Sequence, residues 1–313
     1  YIITADIEGA VLKNIARKEA EAKRMAENMV ENMAELSKSQ IKNEGKLVAG
    51  YSAKSQSSDK WQMINGDCVE EIKTIGDNSI DYSIFSPPFA SLYTYSDSDR
   101  DMGNCKDQND FIEHFAYLIP ELLRVTVPGR LLSFHCMNLP TSKTHDGYIG
   151  IKDFRGDLIR LFVSHGWIYH SEVVIWKNPV VAMQRTKALG LLHKQIVKDS
   201  AMCRMGIPDY LVTMRKPGEN PKPIKGELAE FVGEKSTFAQ TGKLSIDIWQ
   251  RYASPIWTDI NQSRTLQASP AREERDERHI CPLQLDVIDR CLQLWTRKND
   301  LVLSPFAGIG SEG

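Results

Sequence analysis

Ile80-Asp81-Tyr82-Ser83-Ile84-Phe85-Ser86-Pro87-Pro88-Phe89 is the stretch on which the reading of this chain turns. Its first six residues alternate β-formers with small or polar ones and read as a strand. Two successive prolines then fix φ and remove two backbone donors, so the strand stops and the loop presents carbonyl oxygens and the Ser86 hydroxyl. Ser-Pro-Pro-Phe by itself also suits a turn or a polyproline ligand segment. The strand in front favours a site, because open parallel sheets bind ligands at the carboxyl edge of their strands.

Outward from that strand, the pattern from Trp61 onward is one of short apolar strands separated by helices, the rhythm of a parallel sheet with helices on both faces. Strands are predicted at Trp61–Ile64, Ile80–Phe85, Arg130–Cys136, Ile168–Trp176, Tyr210–Arg215 and Leu301–Leu303, and helices at Asp110–Thr126, Ile151–His165 and Leu283–Thr296. Before Trp61, residues 1–50 carry a long amphipathic helix with Ala22, Met25, Met29, Met33 and Leu36 on one face, followed by a serine-rich linker. The chain has 313 residues, 42% hydrophobic and 26% charged, and its net charge of -2 excludes only a globally basic nucleic-acid coat. No apolar run approaches the ~18 residues of a membrane span. Six cysteines without a Cys-x-x-Cys pair give no metal or disulfide framework and suit a reducing, cytoplasmic setting.

Three constellations could carry chemistry. At Ser86-Pro87-Pro88-Phe89, the Ser86 hydroxyl and the Pro87 carbonyl could grip an exocyclic amino group, whose lone pair is otherwise delocalised into its ring, and aim it at an electrophile. Phe89 would stack on a base taken out of the duplex. Second, Ser304-Pro305-Phe306-Ala307-Gly308-Ile309-Gly310-Ser311-Glu312-Gly313 follows a strand and has G-x-G-x-x-G spacing, which suits close approach of a cofactor, a nicotinamide dinucleotide included. Third, Asp67 after Trp61–Ile64 could accept from the amino group of a cofactor adenine or cap a helix starting near Val69.

Taken in this order, the three resemble the amino-methylating DNA methyltransferases of the permuted beta class, in which the Ser/Asp-Pro-Pro-aromatic motif precedes the glycine-rich one. Asp77-Asn78-Ser79-Ile80-Asp81, Leu123-Arg124-Val125 with Pro128-Gly129, and His279-Ile280-Cys281-Pro282 extend the likeness over Trp61–Gly313. The resemblance implies an α/β fold with a mixed seven-stranded, Rossmann-like methyltransferase sheet, S-adenosylmethionine as cofactor, no metal, and double-stranded DNA as substrate. It places Ser86, Pro87, Pro88 and Phe89 on the target amino group and base. Ser304, Phe306, Gly308, Gly310 and, at the methionine end, His279, Ile280 and Cys281 fall to the cofactor, with Asp67 at its adenine. Ser304 stands where the family commonly has Asp, and Gln284 where proline is common. Ser-Pro-Pro is commoner among cytosine-N4 enzymes, although both amino groups need the same two acceptors, so cytosine N4 is the expected target and adenine N6 the alternative. A binding-only module with an incomplete cofactor site is the alternative of another class.

The same resemblance divides the chain into a catalytic half at 61–176, target recognition at 177–278 and a cofactor half at 279–313. Lys177, Arg185, Lys187, Lys194, Lys198 and Arg204 outnumber Asp199 six to one over 177–204, which suits a phosphate-binding face or a solvated helix side, and Gln184 and Arg185 could read base edges. His114, His135, His165 and His170 lack ligand-spaced partners and read as structural. Tyr1 and Gly313 look like cut ends, so two further strands and a ribose-binding acid are expected past Gly313, without which the stretch would be inactive. The N-terminal segment is reminiscent of linkers after helicase-like modules in phage and mobile-element proteins, so such a module or a restriction partner is an expected associate.

Overall fold

A computed structural model of the chain describes residues 53–90, 101–144, 146–186, 193–224, 250–266, 283–308 and 310–313. The expected helix within residues 1–50 and the His279–Cys281 segment lie outside the described residues. The elements run β1 (Lys54–Ser57), β2 (Gln62–Asn65), α1 (Cys68–Glu71), β3 (Ile80–Phe85), α2 (Gln108–Phe115), α3 (Leu118–Val125), β4 (Thr126–Met137), β5 (Leu139–Pro140) and β6 (Ile151–Lys152). Then follow α4 (Phe154–Ser164), β7 (Ile168–Ile175), α5 (Pro179–Thr186), α6 (His193–Lys198), β8 (Asp209–Arg215), β9 (Ile256–Trp257), α7 (Leu285–Trp295) and β10 (Val302–Leu303).

The main sheet has the order β10-β3-β4-β8-β7-β9. It is mixed, not parallel throughout: β10, β3 and β4 run parallel, β8 is antiparallel to both β4 and β7, and β9 is parallel to β7. Thus Asp209–Arg215, within the stretch assigned to target recognition, runs through the middle of the sheet between β4 and β7. The expected strand at Trp61–Ile64 is also corrected. It forms as β2 but pairs only with β1 in a separate hairpin whose residues are exposed, because its Gln62 and Asn65 and the polar β1 cannot furnish two buried faces.

Every residue of β3 is buried, as a central strand covered on both faces requires. On one side lie Phe111, Phe115, Leu118, Leu122, Phe154, Leu158 and Phe162 from α2, α3 and α4, with Phe134 of β4 stacked on Phe162 at 5.0 Å. On the other, Tyr82, Ile84, Leu211 and Trp257 meet Val287, Ile288 and Cys291 of α7. The single helix predicted at Asp110–Thr126 is two, α2 and α3. Pro120 has no N–H to bond back across Ala116 and Tyr117, a position tolerated in the first turn of a new helix. Thr126 already belongs to β4, and Ile151 and Lys152 form β6, so α4 starts later than expected, at an Asp153 side chain that caps Gly156 N at 3.0 Å.

Two buried polar residues tie the glycine-rich end of the chain to this sheet. Asp81 Oδ2 accepts from Leu301 N at 3.0 Å, and the Asp81 N–H donates to Leu301 O at 3.0 Å, holding β10 in register on β3. Arg130, 1% exposed, donates from Nε to Asp81 O (2.7 Å) and forms a salt bridge with the buried Asp300. Its other nitrogens reach Lys222 O and Trp295 O. Removing one partner of such a buried pair strands the other charge. Arg130→Met is therefore expected to lower unfolding free energy by about 3–5 kcal/mol in urea titrations.

Candidate active site

Parallel pairing of β10, β3 and β4 puts their carboxyl ends at one edge, and both chemistry-bearing loops leave from there. Ser86 follows Phe85, the residue paired with Phe134 of β4, so Ser86 emerges beside His135. Pro87 and Pro88 are buried, while Ser86 and Phe89 are half-buried. Ser86 Oγ lies 3.1 Å from His135 Nδ1 and 3.3 Å from the His135 carbonyl oxygen. The Phe89 ring sits 6.1 Å from the His135 ring and edge-on to Phe154 at 6.4 Å, held by the apolar layer below it. Ala90, buried at φ 49, turns the chain in the left-handed region directly after Phe89, a conformation that costs about 1–2 kcal/mol for a residue with a Cβ.

His135, expected to be structural, stands beside Ser86. Its Nε2 is 2.9 Å from Asp209 Oδ2, and the same oxygen is 2.5 Å from Lys177 Nζ. Asp209 is fully buried; burial works to raise its pKa, but His135 and Lys177 on the same oxygen outweigh it and hold the carboxyl below its usual range. His135 and Asp209 meet because β4 and β8 are antiparallel with Met137 opposite Asp209 and Leu211 opposite His135, which puts the two side chains diagonally on one face. The position of His135 at the end of the strand beside the Ser-Pro-Pro-Phe strand was the signal available in the sequence.

The glycine loop follows β10. Phe306 packs on Phe85 at 5.7 Å and on Phe115 at 6.1 Å, fastening the loop to the end of β3. Gly308 and Gly310 adopt φ values of 54 and 79. A Cβ on Gly308 would meet nothing within 4 Å, so the backbone there faces open space, whereas one on Gly310 would stand 2.7 Å from Met63 Cε of β2. Met63 of the hairpin therefore rests on the glycine loop at Gly310. Asp67 Oδ1 accepts from Val69 N at 2.9 Å and caps α1, the capping alternative of the sequence reading. Ser311 Oγ is buried with no hydrogen-bond partner. Burial pushes the Glu312 carboxyl up to about 7.

The expected phosphate-binding face is redrawn. Lys177 is a partner of Asp209, not a solvent-facing cation, because β7 ends beside the start of β8 and a buried carboxylate there needs a counter-charge. Arg204 is half-buried and donates from Nη1 to Met205 O at 2.9 Å, and burial pushes its pKa down. Gln184 and Arg185 lie on α5, Lys194 and Lys198 on α6 with the Lys198 side chain exposed, and Lys187 lies outside the described residues. Among the described residues no group of His, Cys, Asp or Glu could hold a metal ion, and no helix is long and apolar enough to cross a membrane.

A sheet of this order, with a Ser-Pro-Pro-Phe loop and a left-handed glycine loop on adjacent parallel strands, defines a Rossmann-like methyltransferase fold. A family model described as DNA methylase, of the N6/N4 methyltransferase type, matches residues 80–312, and the chain belongs to that family. The type II methyltransferase M.BamHI of Bacillus amyloliquefaciens is 24% identical over 254 residues, covering 81% of this chain and 51% of M.BamHI. The chain thus spans about half the length of the curated relative it matches. Two solved structures share the fold. The cytosine-N4-specific PvuII DNA methyltransferase matches at 14% identity over 79% of this chain and 74% of its own, with a TM-score of 0.52. A Thermus thermophilus protein assigned as a DNA modification methylase, in complex with S-adenosyl-L-methionine, matches at 18% identity over 79% and 80%, also with a TM-score of 0.52.

The raised Glu312 carboxyl has a thermodynamic consequence. Because its folded pKa lies above the unfolded value of 4.5, the associated stability is fully present below pH 4.5 and is lost as pH rises through about 7. Between about pH 5 and pH 8 the protein is expected to lose roughly 1–2 kcal/mol relative to Glu312→Gln, allowing for partial solvent screening, in thermal melts of both.

Proposed function

We propose that this chain carries a DNA amino-methyltransferase, using S-adenosylmethionine to methylate the exocyclic amino group of a base extruded from double-stranded DNA, with cytosine N4 as the target. The observation that carries the reading is the placement of the Ser86 hydroxyl, half-buried at the strand edge, one strand over from the open face of Gly308. Family membership supports the reaction class. The Ser-Pro-Pro form of the motif, with its neutral hydroxyl acceptor, supports N4 over N6.

The residues present fit the cofactor. Gly308 leaves backbone open to close approach, and the buried Ser311 hydroxyl awaits a polar partner. Phe306, Gly308 and Gly310 would hold the methionine and sulfonium portion, Ser304 the base of that loop, and Asp67 the adenine; His279, Ile280 and Cys281 keep their proposed place at the methionine end. When bound, the cofactor supplies a methyl carbon that bonds to the amino nitrogen while the carbon–sulfur pair stays on sulfur. Ser86 Oγ and the Pro87 carbonyl accept the two N–H bonds, which turns the nitrogen lone pair out of conjugation and toward the glycine loop. Phe89 supplies an apolar face for the base, and its seat on Phe154 fixes the ring plane. The exposed Lys198 suits a phosphate contact.

Nucleoside mass spectrometry of DNA incubated with S-adenosylmethionine and the intact protein tests the reading. N4-methylcytosine that disappears in Ser86→Ala is the expected product; N6-methyladenine would replace the target base, and no methylated base would favour a binding-only module. Gly308→Val is expected to weaken S-adenosylmethionine binding at least about tenfold in equilibrium titrations, because the new side chain enters the open face and strains a left-handed backbone.

A further inference from the structure

The row Ser86–His135–Asp209–Lys177, buried at its two central members, is not required by a grip on the amino group, which needs acceptors only at Ser86 and Pro87. A hydroxyl that accepts from a substrate N–H must place its own hydrogen elsewhere. Two acceptors stand within reach of Ser86 Oγ: His135 Nδ1 at 3.1 Å and the His135 carbonyl at 3.3 Å. Whether Nδ1 accepts depends on where the imidazole proton sits, and that is set by the other ring nitrogen. Nε2 lies 2.9 Å from a completely buried carboxylate, an ion-pair approach without the alignment of a hydrogen bond, where an unprotonated nitrogen would still oppose a negative charge. The proton therefore belongs on Nε2, and Nδ1 is left as an acceptor facing Ser86. Lys177, 2.5 Å from the same carboxylate oxygen, already balances the Asp209 charge, so the row is electrically complete with a neutral imidazole.

We infer that His135 is a positioning residue for the methyl transfer, taking through Ser86 the proton that the amino nitrogen must lose. This rests on the methyltransferase reading above. Once its lone pair has bonded to carbon, the nitrogen carries a positive charge and an acidic N–H. That proton passes to Ser86 Oγ as the Ser86 hydroxyl proton passes to His135 Nδ1; the N–H pair stays on nitrogen, which becomes a neutral methylamine. Serine returns to a neutral hydroxyl, and the charge resides on an imidazolium beside Asp209 until it releases a proton to solvent. The groups facing His135 are Ser86 and the Phe89 ring from the loop after β3, Asp209 from β8 and, across Asp209, Lys177 from the end of β7.

Single-turnover methylation by the intact protein, with the imidazole nitrogen shifts read by NMR in the absence of cofactor and DNA, tests the inference. In His135→Asn the amide oxygen still accepts from Ser86 but takes no proton. The expected result is a loss of about 100-fold in rate, typical of general base catalysis, with unchanged affinity for S-adenosylmethionine and DNA. NMR is expected to show the ring proton on Nε2 and Nδ1 bare. A His135→Asn rate equal to wild type, a His135→Asn loss that tracks lost affinity, or a bare Nε2 would each overturn the inference. Wild-type protein that yields no methylated base brings down the methyltransferase reading and this inference together; a methylating wild type matched by His135→Asn overturns this one alone.

Discussion

The buried pairing of Arg130 with Asp300 is the constraint on which the arrangement of both loops depends. Arg130 is on β4, Asp300 stands just before β10, and the guanidinium also donates to Asp81 O of β3 and to Trp295 O at the end of α7. The same Asp300 oxygen that pairs with Arg130, Oδ2, also accepts from the Arg297 N–H at 2.9 Å, and Oδ1 lies 3.5 Å from Arg297 Nε. An ion pair in this position contributes little net stability over apolar residues of like size, since desolvation offsets most of the attraction. Its effect is on specificity: the charges are satisfied only when β10 lies on β3 with the glycine loop at the carboxyl edge.

Register converts that constraint into a site. Asp81 fixes Leu301, which sets Val302 opposite Tyr82, and the pairs Val302–Tyr82 and Phe85–Phe134 bring the ends of three strands level. Between Ile80 and Tyr82 of β3, β4 advances from Thr126 to Leu131, and the excess is taken up at Pro128-Gly129. Gly129 holds φ 73 there with Asn220 N only 2.5 Å from where a Cβ would stand, so neither the turn nor the close approach admits another residue. The irregularity lies at the amino end of the strand, and the carboxyl end that carries His135 keeps regular pairing.

The cost of the site is concentrated in the row behind Ser86. A completely buried Asp209 is tolerable because an imidazole and an ammonium reach the same oxygen. Two strands supply His135 and Asp209, Lys177 stands two residues past the end of β7, and Ser86 sits on a loop held by two buried prolines. Such a row is possible only in a mixed sheet, since the antiparallel β8 carries the start of one strand to the edge where β3 and β4 end.

Much of this was legible in the sequence, because it rests on local chemistry. Buried strands read as apolar runs, prolines and glycines announce loops, and the Ser-Pro-Pro-Phe and glycine motifs each stand directly after a strand. Trp61–Ile64 misled because an exposed hairpin and a sheet strand share the same alternation. Asp110–Thr126 misled because one helical face continues across the break before Pro120. Lys177 read as a phosphate contact and His135 as an isolated core histidine, since neither has a partner nearby in the chain; Asp209 is their partner only because β8 pairs with β4 on one side and β7 on the other. Residue order and local chemistry were enough to say which side-chain types stand at the ends of which strands. Which of them share a proton and a charge was decided by the folded sheet, because pairing between strands far apart in the chain depends on the whole set of strands and not on spacing.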